Sequence, residues 1–331
     1  MKMKVIKPLV TCILIAVYAP LFAHDDTIQF SRIYHTMVPR TRGIYGLTHI
    51  DGNIYTISQK GNFLDKIEYD ASKPRHSEEA FGKTSTDTAM QERFMFSQPS
   101  KNPEWEGMAK FQSSILLFLN AHTSQIGGYQ LEKMANFLPG DIVVDLLKPP
   151  KDTRGEPTST EIKEFRKNFL KRLKSLNHTN PFTGITRIPK KLRENDLYQF
   201  IIGSRVEGFP LLTLSCQEEN PTRCRIERGC FTEGMPHSAQ QSLFGISIGK
   251  DRTLVAGDQK EHRLLLFRYH SCHHITFLKF RYLSKKIPPV ASLSIDSEDR
   301  LWIGTTVPDN YHNASVFVFH AADWRGKVPQ Q

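Results

Sequence analysis

Five short segments of this chain repeat one pattern, and nothing else in the sequence narrows its fold so far. They are Gly46-Leu47-Thr48, Gly107-Met108-Ala109, Gly184-Ile185-Thr186, Gly245-Ile246-Ser247 and Ser292-Leu293-Ser294: a small residue, an apolar residue, another small residue. After a polar turn each is followed by a second apolar run: Ile54 to Ile57, Ile115 to Leu119, Leu197 to Gly203, Leu254 to Gly257 and Leu301 to Gly304. A third run then arrives at Phe63 to Tyr69, Gly127 to Leu131, Pro210 to Leu214, Leu264 to Tyr269 and Val316 to Phe319. Short runs rich in Ile, Leu, Phe, Val and Tyr, bounded by Gly, Asp and Asn, are strand-like. Asp51-Gly52-Asn53 and Lys60-Gly61-Asn62 supply the residues that tight hairpins need.

Fourth, outer strands are expected at Glu92 to Ser97, Asp141 to Leu147, Arg223 to Cys230 and Thr276 to Tyr282. The fifth unit runs out of chain before its fourth strand, while Thr27 to Tyr34 forms a strand without a unit. An all-β, five-bladed β-propeller joins these two facts, its last blade completed by the N-terminal strand. The small residue opening each inner strand has a steric reason, because inner strands crowd around the central channel. A six-bladed ring is the alternative if blade one or the insertion hides a degenerate unit; the polar stretch Lys73 to Gln91 has no clear place.

The unit starts are 61, 77, 61 and 47 residues apart, and the long gap holds an insertion at 149–181. Within it Ile162, Phe165, Phe169, Leu173 and Leu176 recur at helical spacing. Thr158 and Glu161 have capping-box spacing. The segment reads as a helix between blades two and three, packed on the rim in preference to lying on a membrane surface.

Residues 1–23 read as a secretory signal peptide: three lysines by Lys7, an apolar run from Leu9 to Phe22, then Ala23 before polar His24. Cleavage there leaves a propeller domain over 24–331, periplasmic or secreted, with no integral membrane segment and a net charge of about +7 (10 − 3). The basic excess is spread along the chain apart from a cluster around Lys163 to Lys174, which points to solubility and weak attraction to anionic surfaces, and nucleic acid is not the expected partner. Cys216, Cys224, Cys230 and Cys272 remain after the signal, enough for two disulfides in an oxidising compartment. Cys216 and Cys224 can bridge a hairpin base, whereas a flat reading of the topology puts Cys230 and Cys272 on opposite faces, so that either this pair stays reduced or a strand is misplaced.

Propeller topology also locates the expected ligand mouth, where the loops leading into the inner strands meet those joining strands two and three. The residues there include Tyr45, Gln59, Glu106, Asn120, His122, Thr183, Arg205, Phe244 and Asp258. Glu106 is the only acid just ahead of an inner-strand start, and a carboxylate facing the channel can bind a hard cation such as calcium or move a proton. Its structural alternative is a carboxylate held by backbone amides of the next blade. Asp258 and Arg205 are read as pairing with each other or with neighbours, and Tyr45 and Phe244 as packing or stacking groups. His270, Cys272, His273 and His274 cluster in a turn on the opposite face, without the spacing of a zinc site. No nucleophile elbow, phosphate-binding loop or His-Glu-x-x-His helix is present.

The elements Gly46-Leu47-Thr48-His49-Ile50-Asp51-Gly52-Asn53-Ile54-Tyr55 and Trp105-Glu106-Gly107-Met108-Ala109 resemble blade starts of the bacterial secreted esterase-like, phytase-type propellers. That resemblance implies phosphoester or ester hydrolysis. The five-blade count and the insertion also look like the calcium-dependent apyrases, whose acidic channel ligands imply nucleotide hydrolysis. Here only Glu106 fits that ligand pattern. The leading expectation is therefore an exported propeller that binds a small molecule or an envelope protein at its mouth. A hydrolase acting around Glu106 and Asp258, or an interaction protein using the rim helix, are the alternatives.

Overall fold

The structure is a computed structural model describing residues 27–28, 30–35, 43–59, 63–69, 71, 92–95, 104–112, 115–120, 124–131, 144–145, 160–176, 181–193, 197–216, 224–239, 242–306 and 314–326. The signal-peptide segment, Thr158, His122 and Lys73 to Gln91 lie outside these residues. The chain begins with two short strands, β1 (Thr27–Ile28) and β2 (Arg32–His35), whose partners come late in the sequence. Blade one follows as β3 (Ile44–Ile50), β4 (Asn53–Ser58), β5 (Phe63–Glu68) and β6 (Glu92–Met95). Blade two comprises β7 (Trp105–Lys110), β8 (Ile115–Asn120), β9 (Gln125–Gln130) and β10 (Val144–Asp145).

Helix α1 (Thr160–Lys174) leads into blade three, formed by β11 (Phe182–Arg187), β12 (Tyr198–Ser204), β13 (Leu211–Cys216) and β14 (Cys224–Gly229). After the short β15 (Thr232–Glu233), blade four contains β16 (Leu243–Ile248), β17 (Thr253–Asp258), β18 (Arg263–Ser271) and β19 (His274–Leu283). Blade five has β20 (Val290–Ile295), β21 (Leu301–Thr305) and β22 (Ser315–Phe319), and α2 (Ala321–Arg325) ends the described chain.

Each blade is an antiparallel meander, and β2 adds to β22 antiparallel, with Arg32 opposite Val318 and His35 opposite Ser315. The N-terminal strand thus closes the ring, as the unpaired strand in the sequence implies. The apolar residues collect into five clusters lying largely between neighbouring blades. Each fully buried large apolar side chain there contributes about 1.5–3 kcal/mol. Tyr34 of the closing strand stacks on Trp302 with centroids 5.6 Å apart, and Phe30 meets Phe317 edge-on at 5.2 Å.

The repeated small residue turns out to be the contact between blades. A Cβ on Gly107 would come within 2.9 Å of the Ile185 backbone, one on Gly184 within 3.1 Å of Gly245, and one on Gly245 within 2.8 Å of Ser292. Ser292 completes the circuit by donating its hydroxyl to the Ile44 carbonyl at 2.6 Å. The inner strands pack backbone against backbone, which only residues with little or no side chain permit. Each inner strand also carries a β-bulge at its start, between Ile44 and Gly46, Trp105 and Gly107, Phe182 and Gly184, Phe244 and Ile246, and Val290 and Ser292.

Helix α1 packs on blade three. Phe169 is buried, and Phe165 and Phe169 lie 5.4 and 5.8 Å from the Phe209 ring. Arg172 donates to the Glu207 carbonyl at 3.0 Å, so the helix serves as a rim element with its lysines outward.

Two disulfides form, Cys216–Cys224 across the base of the β13–β14 hairpin and Cys230–Cys272 between blades three and four. The second corrects the flat reading that set those cysteines on opposite faces. Sheet twist swings outer strands away from the channel axis. The chain leaving β14 can therefore join blade four's outer edge, where β15 runs parallel to β19 and Phe231 N donates to the Cys272 carbonyl at 3.0 Å. No described helix is long and apolar enough to cross a membrane, and both disulfides are compatible with an extracellular or periplasmic protein.

Candidate functional site

Channel-side residues can be followed along the inner strands from their leading end, where the strands begin, to their trailing end. At the leading end the repeated bulge takes Tyr45, Glu106, Thr183 and Ala291 out of the ladder. Bulges of this kind re-aim a side chain. Tyr45 and Glu106 line a narrow void of ≈ 10 Å³ at the channel's waist. Thr183 is instead fully buried, its hydroxyl over Gly203, where an added Cβ would stand 2.6 Å from it.

Four of the sequence-derived residues converge around Glu106. Its carboxylate is buried and accepts from the Gln59 amide at 3.1 Å. Gln59 is fixed by its own backbone, whose carbonyl accepts from Trp105 N at 2.9 Å. The Arg205 guanidinium lies 4.4 Å above the Phe244 ring. Burial holds the pKa of Arg205 below the usual guanidinium range, against the opposing pull of Glu106 and Tyr45. The cluster draws on four blades: Tyr45 and Gln59 on the first, Glu106 on the second, Arg205 just past β12 of the third, and Phe244 on the fourth.

Asp258 and Asn120 play other parts. Asp258 is fully buried and accepts from Ser242 Oγ at 2.6 Å, Arg263 Nε at 2.9 Å and Glu261 N at 3.3 Å. It pairs with Arg263, and Arg205 faces Glu106, so the two do not form the mutual pair that the sequence allows. Asn120 is buried at the end of β8, opposite Trp105.

A calcium ion asks for six to eight oxygen donors. Glu106 has an amide donor and a guanidinium as neighbours, a set that does not fit calcium. Among the described residues no group of three or more His, Cys, Asp or Glu stands together as a metal site. The histidine cluster on blade four spans a hairpin: His270 is the penultimate residue of β18, His274 begins β19, and their rings stack at 4.6 Å. Cys272 and His273 form the turn between these strands, the three histidines are exposed, and Cys272 alone is buried, in its disulfide.

The main described cavity lies at the trailing end, which the sequence reading did not single out. It measures ≈ 570 Å³. Its floor is Leu47, Met108, Ile185 and Leu293, the residues it shares with the narrow waist. Above them stands the third residue of each repeat, Thr48, Ala109, Thr186, Ser247 and Ser294. The repeat therefore builds a stack of rings: small, apolar, then small and mostly hydroxylic. At the rim come Lys110, Arg187, Lys190, Arg193 and Lys250, facing only Asp51 and Asp296 as acids. What reads in the sequence as a diffuse basic excess is here partly gathered around one opening.

No protein-family model matches this chain, and no curated protein matches it. The resemblance to the phytase-type propellers therefore rests on the blade starts alone, and that to the apyrases on the blade count and the insertion. Among solved structures the chain is similar to glutaminyl cyclase from Myxococcus xanthus (9% identity, 88% of this chain and 95% of that one covered, TM-score 0.46). A streptogramin B lyase is similar at 9% identity, with 87% and 97% covered and a TM-score of 0.43. Virginiamycin B lyase from Staphylococcus aureus is similar at 14% identity, with 86% and 68% covered and a TM-score of 0.38. At such identities and scores these likenesses say nothing of what this chain does.

Proposed function

We propose that this chain is an exported binding propeller whose leading channel end takes a small polar ligand. The observation that carries the reading is the convergence of Glu106, Gln59 and Arg205, from three blades, between Tyr45 and Phe244. A carboxylate beside a guanidinium offers an acceptor for an ammonium or hydroxyl and a donor fork for an anionic oxygen. Two aromatic residues supply flat apolar walls. Hydrolysis by a carboxylate pair has less support, since Asp258 is engaged by Arg263, Ser242 and the Glu261 backbone.

The test is a thermal-shift screen of the mature protein against free amino acids, dipeptides and monosaccharides, repeated on Glu106→Gln and Arg205→Gln. A stabilising compound whose effect disappears in both variants supports the reading. Compounds that stabilise wild type and both variants alike, or no stabilising compound at all, would leave Glu106 a purely structural group and refute it.

A further inference from the structure

A second site, at the other end of the channel, follows from charge and shape together. Its rim carries five cations, Lys110, Arg187, Lys190, Arg193 and Lys250, against two carboxylates. Both carboxylates already have partners. Asp51 takes Lys110 itself, with Nζ at 3.0 Å, so four of the rim cations stand outside that pair, while Asp296 accepts from Arg300 Nε at 2.6 Å and from Trp302 Nε1 at 2.8 Å. Arg187 and Arg193 are set in place by the Tyr198 ring, 4.5 and 4.7 Å from their guanidinium carbons. Arg193 is fixed further by the Ile188 carbonyl at 3.1 Å. Lys190 and Lys250 are exposed at the edge of the opening. Like charges brought together around a concave surface repel one another and focus a positive potential into it. An anion seated there relieves that repulsion.

The interior adds a second requirement. Below the cations come the hydroxyls of Thr48, Thr186, Ser247 and Ser294, and below these the apolar floor of Leu47, Met108, Ile185 and Leu293. A simple inorganic anion would leave that floor wetted and unused. The volume of ≈ 570 Å³ is of small-molecule size, within the range of about 300–1,000 Å³ usual for ligand pockets.

We propose that the trailing-end cavity binds an amphipathic organic anion, its apolar body on the Leu47–Met108–Ile185–Leu293 floor and its phosphate, carboxylate or sulfonate head among the rim cations. The Glu106 cluster lies on the other side of the Leu47–Met108–Ile185–Leu293 floor, at the waist, so the two are tested apart. The depth of the floor favours a soluble small molecule over the flat headgroup layer of a membrane.

The experiment is calorimetric titration of the mature protein with 1-naphthyl phosphate, with 1-naphthol and inorganic phosphate as its two halves. The expected result is one-to-one binding of 1-naphthyl phosphate, at least about tenfold tighter than either half. Lys190→Glu with Lys250→Glu should weaken it by about tenfold or more while leaving the melting temperature near wild type. Lys190→Arg with Lys250→Arg should restore it, and Glu106→Gln should leave it intact. Binding of 1-naphthyl phosphate no tighter than that of its halves, or indifferent to the charge reversal, overturns the proposal. So does loss of binding in Glu106→Gln, which would put the probe at the leading end. Charge-dependent binding to phosphatidylglycerol vesicles, with none to 1-naphthyl phosphate, would reassign the rim to a membrane surface.

Discussion

Substituting alanine for the inner-strand glycines, one at a time, tests whether close approach of backbones holds the ring together. At Gly245 the added Cβ would lie 2.8 Å from Ser292 Cα, and φ is +59°, a conformation side chains disfavour. Overpacking costs about 1–3 kcal/mol and the left-handed conformation about 1–2 kcal/mol more, so Gly245→Ala should lose roughly 2–5 kcal/mol. Gly107 meets the Ile185 amide nitrogen at 2.9 Å with no conformational penalty, which leaves the overpacking cost of about 1–3 kcal/mol. At Gly184 the nearest atom is 3.1 Å away, a misfit of a few tenths of an ångström. The stiffer unfolded chain returns about 0.4–1 kcal/mol there, so the net change should be within about 1 kcal/mol.

Gly52 is the control, with φ at +87° and nothing within 4 Å of the added carbon. Its alanine variant carries the conformational cost alone. Unfolding entropy of about 2.1 cal/mol/K per residue over a ring of roughly 300 residues makes each kcal/mol worth about 1.6 °C. Near-ultraviolet circular dichroism melts should therefore fall by about 3–8 °C for Gly245→Ala, about 2–5 °C for Gly107→Ala and under about 2 °C for Gly184→Ala. If Gly245→Ala melts no lower than Gly52→Ala, or Gly184→Ala as low as Gly107→Ala, blade-to-blade approach is not what these residues serve.

Three further outcomes are expected. Cys230–Cys272 closes a span of 42 residues and Cys216–Cys224 one of 8; chain entropy puts their losses at about 4 and 2.5 kcal/mol, so a Cys230→Ser/Cys272→Ser variant should melt lower than Cys216→Ser/Cys224→Ser, and the reverse order would count against the loop argument. Asp296→Ala should cost about 1–3 kcal/mol in a denaturant titration, because it takes the acceptor from Arg300 Nε and from the buried Trp302 indole while Arg300 keeps Glu298 at 2.9 Å; a loss below about 0.5 kcal/mol would show the knot to be dispensable. His49 is half-buried and accepts from Gly52 N at 3.2 Å, and burial holds its pKa below the ordinary 6.5, with Lys110 and Arg300 lowering it further and Asp296 and Asp51 opposing. As pH falls below 6.5 the unfolded chain takes up this proton first, so stability declines until the folded ring protonates as well; His49→Gln should flatten that part of the acid limb, and an unchanged limb would refute the assignment.

Much of the fold was legible because its causes are local. The small residue that must fit between backbones recurs at every blade, and strand periodicity and turn residues mark the rest. The N-terminal strand could be assigned to the last blade because that unit lacks a fourth strand of its own and Thr27 to Tyr34 belongs to no other unit. At the site, the leading-end list contained Tyr45, Gln59, Glu106, Arg205 and Phe244, which do converge, since topology alone sets them at equal heights. It also contained Asp258 and Thr183, whose side chains turn into their own blades. Which way a bulged or terminal residue turns depends on neighbours far along the chain.

The sequence by itself determined the repeating strand unit, the ring closure and the rim helix, each written in short-range patterns of size and hydrophobicity, and it favoured five blades over six. Only the tertiary structure decided which cations act together and at which end of the channel they lie. Lys110, Arg187, Lys190, Arg193 and Lys250 are spread over 140 residues, from 110 to 250. Singly they look like ordinary surface charge. Lys110 and Arg187 hold equivalent ends of successive inner strands, Lys190, Arg193 and Lys250 stand on the turns that follow β11 and β16, and the ring brings all five around one cavity, where Coulomb forces depend on distance in space rather than along the chain. The same holds for Cys230 and Cys272, joined because the twist of the blades brings together ends that a flat diagram keeps apart.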